Sequence, residues 1–456
     1  MGTFTLQNLR DHATGEVITA DSPGYDEARR VHNAMIDRRP RAVVRCADAA
    51  DVQLAVRFAR ENGLDLAVRG GGHSVPGFGT CDDGVVVDLS PMRAVEVDPT
   101  NRTARAQGGA RWREFNAATY PFGLATTGGI ISTTGVSGLT LGGGIGYLDR
   151  ALGLSCDNLR AAEVVTADGR LLRTSEKEHE DLFWALRGGG GNFGIATSLT
   201  FALSPVRDIH GGPMFFDIER AGDVLRVYRD FIRTAPEEFG GFPAFQIAPP
   251  LPFIPPERHG TPLIGYVTCW TGPPEQAEAA LAPLREAGPV VAEMVGRMPY
   301  PDLNSAFDEL VGPGLQHYWK AAFATDLTDG AIEAHLRHGP GLPAVNSTVH
   351  LYPINGACHR VDAEATAFNY RDASYATVIA GMWPDPADNE ANVRWVRDYY
   401  DDLAPHSARG GYVNFMAGDD QEKVRDNYRG NYDRLVEVKR AYDPENLFHL
   451  NQNIIP

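Results

Sequence analysis

Residues Leu66 to Asp88 read LAVRGGGHSVPGFGTCDDGVVVD. The apolar run Leu66–Val68 ends in Arg69, and Gly70, Gly71 and Gly72 follow, then His73 and Ser74. A short apolar run stopped by glycines reads as a buried strand ending in a tight turn. Glycine lets a backbone approach a ligand closely, and successive amide N–H groups in such a turn can hold an anion such as a diphosphate. His73 stands beside whatever that turn holds. A second stretch, Leu139–Asn158, reads LTLGGGIGYLDRALGLSCDN and joins further glycines, Gly142, Gly143 and Gly146 among them, to Cys156.

Working outward, Arg41–Cys46 reads as a strand and Asp48–Asn62 as a helix. Asp48 can cap that helix, Val52, Ala55, Val56 and Ala59 line one face, and Gly63 follows its end. With Leu66–Val68 this makes a β-α-β opening. Residues 1–30 are polar and are expected to be an irregular lead-in. Gly84–Leu89 is a further strand, and Val95–Val97 and Thr103–Ala106 can pair as a hairpin. Trp112–Thr119 reads as a helix. Leu124–Gly146 is dense in Gly, Thr and Ser with almost no charge, which suits a surface lying against something buried. Leu159–Thr166 continues as a strand, Asp181–Leu186 as a helix and Gly194–Leu203 as a strand.

Gly189, Gly191 and Gly194 spell GxGxxG, but the pattern follows a helix and opens a strand. A dinucleotide-binding Rossmann fingerprint has the opposite order, so a nicotinamide site is not expected. After Ser204-Pro205 the character changes to amphipathic helices mixed with alternating strands. Val224, Leu225, Tyr228, Phe231 and Ile232 make one helical face, and Gln276–Ala287 a second helix. Leu263–Trp270, Thr348–Tyr352 and Gly410–Met416 read as strands, and Asn389–Leu403 and Gln421–Ala441 as helices. The proline-rich Ala248–Pro256 reads as a plain connector rather than the border of an entrance.

These stretches together resemble the berberine bridge enzyme-like flavoproteins of the vanillyl-alcohol oxidase / p-cresol methylhydroxylase superfamily. The resemblance is carried by RGGGHS, GGGIGYLDRALGLSCDN, IDRRPRAVVRCADAADVQLAVRFAR, ALRGGGGNFGIATSLTFAL and YDPENLFHLNQNI, and it thins out between about residues 208 and 346. It implies an α+β fold: a two-lobed FAD-binding domain (residues 1–206), a substrate domain with an antiparallel sheet backed by helices (207–414), and a C-terminal segment (415–456) returning to the FAD-binding domain. It implies FAD bonded at its 8α-methyl to His73 and, through a thioether at C6, to Cys156. An imidazole must be neutral to attack the methyl carbon, and an unperturbed histidine is mostly neutral at pH 7. Around the flavin the resemblance places Arg69, Gly70, Gly71, Gly72, Ser74, Gly77, Val136, Gly138, Gly142, Gly143, Gly146, Asn158, Ile195, Asn414 and Asn451. Val136 matches a position that controls access of dioxygen, and for Asn451 an ordinary turn residue is the competing reading.

Tyr412-Val413-Asn414 resembles the family's Tyr-x-Asn strand, which assigns Tyr412 the role of base in alcohol oxidation. On a strand, Tyr412 and Asn414 would share a face. Tyr147 and Tyr352 are weaker candidates for the catalytic pocket. Pro353-Ile354-Asn355-Gly356 departs from the family's Tyr-Gly-Gly, and His350 reads as structural. The implied function is an oxidase that moves a hydride from an alcohol, a sugar hydroxyl or a natural-product intermediate to flavin N5, with dioxygen reduced to hydrogen peroxide. Two alternatives stand beside it: an amine oxidase or oxidative cyclase of the same family, and a flavin-binding protein without turnover.

Composition bounds the partners. The 456 residues carry a formal net charge of −17, which argues against nucleic acid or an anionic membrane. No apolar run approaches the roughly 20 residues of a membrane span. MGTFTL shows neither a signal peptide nor a myristoylation pattern. The five cysteines, Cys46, Cys81, Cys156, Cys269 and Cys358, form no CxxC pair, so no metal is expected. Free thiols fit a reducing cytoplasm. Small-molecule substrate and dioxygen are the expected partners; the oligomeric state is open.

Overall fold

The computed structural model describes residues 4–456; the reading of the extreme N-terminus for a leader or acyl signal rests partly on residues outside that range. Four strands form the first sheet, in the order Glu16–Ile18, Ala42–Arg45, Val85–Asp88, Leu66–Arg69. Ala42–Arg45 and Leu66–Arg69 both run parallel to Val85–Asp88. Parallel neighbours need a crossover, and the helix Ala49–Asn62 supplies it. Asp48 accepts from the amides of Ala50 and Asp51 at its start, and Gly63 ends it in the left-handed region at φ 61°.

The second sheet is antiparallel, in the order Val95–Asp98, Thr103–Gln107, Ile195–Ala202, Leu159–Val165, Leu171–Ser175. Trp112, Phe115, Phe183, Leu199 and Phe201 fill a core on this sheet. The glycine-rich turn 187–194 joins the helix Glu180–Leu186 to the strand Ile195–Ala202, so it opens a strand, as its sequence position predicts.

The third sheet has eight strands between residues 208 and 383, every pairing antiparallel. Side chains of a strand alternate between faces. On one face Phe245, Val349, Leu351 and Ile379 pack against the helices Ala221–Ile232, Asp329–His338 and Asn389–Leu403. The opposite face carries Phe242, Ala244, His350, Tyr352, Val378 and Ala380, and it looks onto the two smaller sheets. The α+β architecture, with an antiparallel sheet backed by helices, is therefore present.

Four expectations about elements are corrected. From Phe4 on the lead-in is ordered: Thr5 caps the helix Leu6–His12 and Glu16–Ile18 pairs with Ala42–Arg45. Residues 276–287 are not one helix, because Pro283 lacks an N–H and the α-helix Ala277–Leu281 gives way to a 3₁₀ segment. Residues 421–441 break at Arg429, held at φ 46° and followed by Gly430, into the helices Val424–Tyr428 and Tyr432–Tyr442. Residues 410–416 form no strand. Their backbone turns instead, with the Phe415 amide donating to Tyr412 O at 2.8 Å and the Gly411 amide to Asn427 Oδ1 at 2.8 Å.

The chain end packs on the first two sheets. Lys439 is fully buried and donates to Asp443 Oδ2 at 2.6 Å, to Asn192 O at 2.8 Å and to Phe448 O at 2.9 Å. Asp443 accepts the amides of Leu447 and Phe448 in return. This network brings Asn451 and Gln452 to the mouth of the glycine loops. All five cysteines are free and buried. Among the described residues no helix is long and apolar enough to cross a membrane.

Candidate active site

A cavity of about 390 Å³ lies between the glycine loops and the free face of the eight-stranded sheet. Arg69, Gly70, Gly71, Gly72, His73, Ser74, Gly138, Ile195, Tyr352, Tyr412, Asn414 and Asn451 line it. The loops close one wall by backbone contact. A Cβ on Gly71 would stand 2.4 Å from Gly135 N, so neither glycine tolerates a side chain while the two turns touch. Arg69 does not offer a free cation: it donates to Asp88 Oδ2 at 2.8 Å and to Arg30 O at 3.0 Å.

His73 Nε2 lies 3.0 Å from Thr133 Oγ1. Its ring is stacked on His32, with centroids 4.0 Å apart and planes at 21°, and His32 in turn meets His317 at 4.9 Å. Burial, then the neighbouring His32, Arg111 and His317, hold the His73 pKa well below the usual histidine value. The ring is therefore neutral at pH 7 with an available lone pair. Asn33 fixes the group by accepting the His317 amide at 3.0 Å and donating to His317 O at 2.9 Å and Val75 O at 2.7 Å. Sequence reading missed His32 and His317, which lie far from His73 in the chain and in no shared motif.

Cys156 is placed differently. It is fully buried, it does not line the cavity, and its Sγ sits 3.7 Å from Asp157 Oδ1. Burial first, and the Asp157 carboxylate second, push its thiol pKa far up. Asp157 is gripped by Arg371 through two hydrogen bonds of 2.8 and 2.6 Å. Asn158 turns its amide to Leu152 O and Leu154 O, pinning the same turn rather than facing the cavity.

The other expected residues fall behind the wall. Val136 is buried in the core of the second sheet at the start of the helix Val136–Leu141. Gly77, Gly142, Gly143 and Gly146 do not line the cavity. A Cβ on Gly142 would meet Asn414 Oδ1 at 2.2 Å, so this glycine admits Asn414 rather than a ligand. Tyr147 is buried and stacks on Phe242 at 5.8 Å.

Tyr412 and Asn414 do meet, through the turn rather than a strand. The Tyr412 hydroxyl oxygen accepts from the Gly144 amide at 2.8 Å, the Ile145 amide at 3.3 Å and Asn414 Nδ2 at 2.8 Å. Burial pushes its pKa up, and those donors partly offset the push. Three donors fill the oxygen and leave it little room to accept from a substrate. On the opposite wall, His350 Nδ1 is 2.7 Å from the Tyr352 hydroxyl, and both line the cavity. Burial lowers the His350 pKa to about 3 and raises that of Tyr352, so both are neutral and His350 Nδ1 can accept a hydrogen bond from the Tyr352 hydroxyl.

The residues present fit a flavin. The loop wall is uncharged apart from the paired Arg69, open space lies where a Cβ on Gly138 or Gly191 would stand, and Asn451 Oδ1 and Gln452 Nε2 are buried without a partner among the described residues. Asn451 also donates to Gly191 O at 3.2 Å, tying the chain end to the glycine turn.

Comparison with known proteins agrees with this reading. Residues 40–175 match the FAD binding domain family and residues 411–455 the family described as berberine and berberine like. The uncharacterised FAD-linked oxidoreductase YgaK of Bacillus subtilis is 34% identical over 451 residues, covering 97% of each chain. The (R)-6-hydroxynicotine oxidase of Paenarthrobacter nicotinovorans is 30% identical, again over 97% of each chain. The structure of 6-hydroxy-D-nicotine oxidase from Arthrobacter nicotinovorans superimposes with a TM-score of 0.86 at 27% identity, covering 97% of this chain and 98% of that one. Glucooligosaccharide oxidase from Acremonium strictum, described with a 6-S-cysteinyl, 8α-N1-histidyl FAD, shares the fold with a TM-score of 0.85 at 23% identity over 98% of each chain. With these matches along nearly its whole length, the chain belongs to the berberine bridge enzyme-like family of FAD-linked oxidoreductases.

Proposed function

We propose that this oxidoreductase is an alcohol oxidase whose FAD is bonded to His73 and, in a slower step, to Cys156. The observation that carries the reading is the facing of two walls: a neutral His73 among the glycine loops, and the His350–Tyr352 pair on the sheet across the cavity. The bond pattern described for glucooligosaccharide oxidase supports the two attachments. Residues 1–206 and 415–456 would hold the cofactor and residues 207–414 the substrate. Bound flavin would supply the acceptor for a hydride from the substrate C–H and return the electrons to dioxygen as hydrogen peroxide.

The chain's own part is to hold the substrate and take its hydroxyl proton. With the His350 proton on Nε2, Tyr352 O–H donates to His350 Nδ1. As the C–H bond gives up its hydride the substrate hydroxyl becomes strongly acidic, and its proton then passes to the Tyr352 oxygen as the Tyr352 proton passes to His350 and on to solvent, so no phenolate stands alone in the cavity. Tyr412, its oxygen already filled, would position the Gly142–Gly146 turn instead of acting as base. Anaerobic flavin reduction tests this. Tyr352→Phe should slow it by roughly 10²-fold or more, in the range of general-base loss, while Tyr412→Phe should cost less. The reverse order would return the role of base to Tyr412.

A further inference from the structure

The sheet wall of the cavity is hydrocarbon almost throughout. Phe242, Ala244, Val267, Val378, Ala380 and Met382 come from three strands of the sheet and point to the same side. Three of the polar side chains on this wall and its edge have spent a donor on the protein. Thr348 Oγ1 donates to Phe245 O at 2.8 Å, Gln246 Nε2 to Val345 O at 2.7 Å and Asn346 Nδ2 to Leu310 O at 3.0 Å. The His350–Tyr352 pair and the indole N–H of Trp319, which has no partner among the described residues, remain open to a ligand. No Asp, Glu or Lys lines the cavity, and the lining Arg69 is neutralised by Asp88.

The lip has the same character. Leu251, in the proline-rich segment expected to be a plain connector, lines the cavity and is 40% exposed; Met294 lines it and is 48% exposed. Phe253 of the same segment stacks on Phe215 of the sheet. An exposed apolar rim continuous with an apolar wall suits uptake of an apolar molecule.

We propose that the substrate is an uncharged, largely apolar ring compound with a hydroxyl group, held by its hydrocarbon surface on the sheet and by that hydroxyl at His350–Tyr352. A saccharide would bring many hydroxyls to a wall that can satisfy few, and each polar group buried without a partner weakens binding. An ammonium would find no carboxylate. Cation–π contact with the aromatic rings returns only part of what an ion loses on desolvation. The neutral alcohol is therefore favoured over the amine and over the sugar. The proposal rests on the oxidase reading for the identity of the reacting group.

Three probes separate the classes: naphthalen-2-ylmethanol, its isostere naphthalen-2-ylmethylamine (an ammonium at pH 7), and xylobiose. Their binding to the flavin-loaded protein is measured by anaerobic calorimetry, with the flavin spectrum followed in parallel. The alcohol should bind at least tenfold more tightly than either comparator, and Leu251→Asp at the lip should weaken the alcohol without weakening the ammonium. Equal or tighter binding of xylobiose or the ammonium, or binding of none of the three, overturns the proposal. The spectrum separates the two readings. Preferential binding of the alcohol without bleaching supports the substrate class and counts against alcohol oxidation, whereas bleaching by xylobiose alone keeps the oxidase and ends the apolar class.

Discussion

His73 and Cys156, the two proposed attachment points, are both held uncharged by burial but differ in their access to the cavity and in their neighbours. His73 stands in the wall, stacked on His32, with its ring held neutral. Cys156 lies behind the wall beside a carboxylate, with its thiol held protonated. A neutral imidazole is already a nucleophile, whereas a thiol must first become thiolate. The difference teaches that two bonds to one cofactor can have separate controls: the first set by ring orientation, the second by local opening and proton loss.

The largest expected effect breaks the Cys156 side. Arg371→Met leaves the Asp157 carboxylate, 7% exposed, without its cation. Breaking a buried pair from one side typically costs about 3–5 kcal/mol, to be read from denaturant unfolding. A loss below about 1 kcal/mol would mean that water reaches Asp157 and that the thiol is not sealed. Next, His73→Ala should lower the flavin retained in acid-precipitated, freshly loaded protein at least tenfold, while Cys156→Ala should retain most of it. Equal retention by both variants would erase the proposed order of attachment.

The pH dependence sharpens the contrast. The Cys156 pKa is raised, so its thiolate fraction grows about tenfold per unit across pH 7 to 9, and the second attachment should accelerate accordingly. The His73 pKa is depressed, so its ring is neutral throughout that range and the first attachment should not respond. Peptide mapping of loaded protein by mass spectrometry distinguishes the two bonds. A first step that rises with pH as steeply as the second would show that both need a deprotonation. The smallest effect is expected at His32. Removing its ring by His32→Ala should slow attachment at His73 by roughly threefold, an order-of-magnitude figure for losing one stacked contact of about 0.5–1 kcal/mol. His32→Phe, which keeps a ring, should restore the rate. Failure of the phenylalanine to rescue would assign His32 a role through its nitrogens.

Much of the flavin-side wall was legible in the residues. Leu66–Ser74 could be placed because a strand, a glycine turn and a histidine are contiguous, and their arrangement is governed by local backbone sterics. The helix Ala49–Asn62 was legible from Asp48 and Gly63, whose capping chemistry acts over one turn. The break at Arg429 and the turn at 410–416 were not. Both depend on where distant groups stand, as when Asn427 captures the Gly411 amide. The connector reading of Ala248–Pro256 failed for the same kind of reason, since nothing in a run of prolines says what lies beneath it.

The residue pattern alone is enough for the strand-and-glycine turn, for Leu263–Trp270 and Thr348–Tyr352 as strands of the large sheet, and for a histidine and a cysteine beside glycine-rich loops. Only the tertiary structure decided which face of the sheet became cavity wall. It also decided that His350 pairs with Tyr352 there, that Tyr412 is filled by backbone donors, and that Cys156 is sealed while His73 is not. Exposure, stacking and proton affinity are properties of the packed surroundings, and those surroundings are assembled from residues far apart in the chain, as His317 is from His32 and His73.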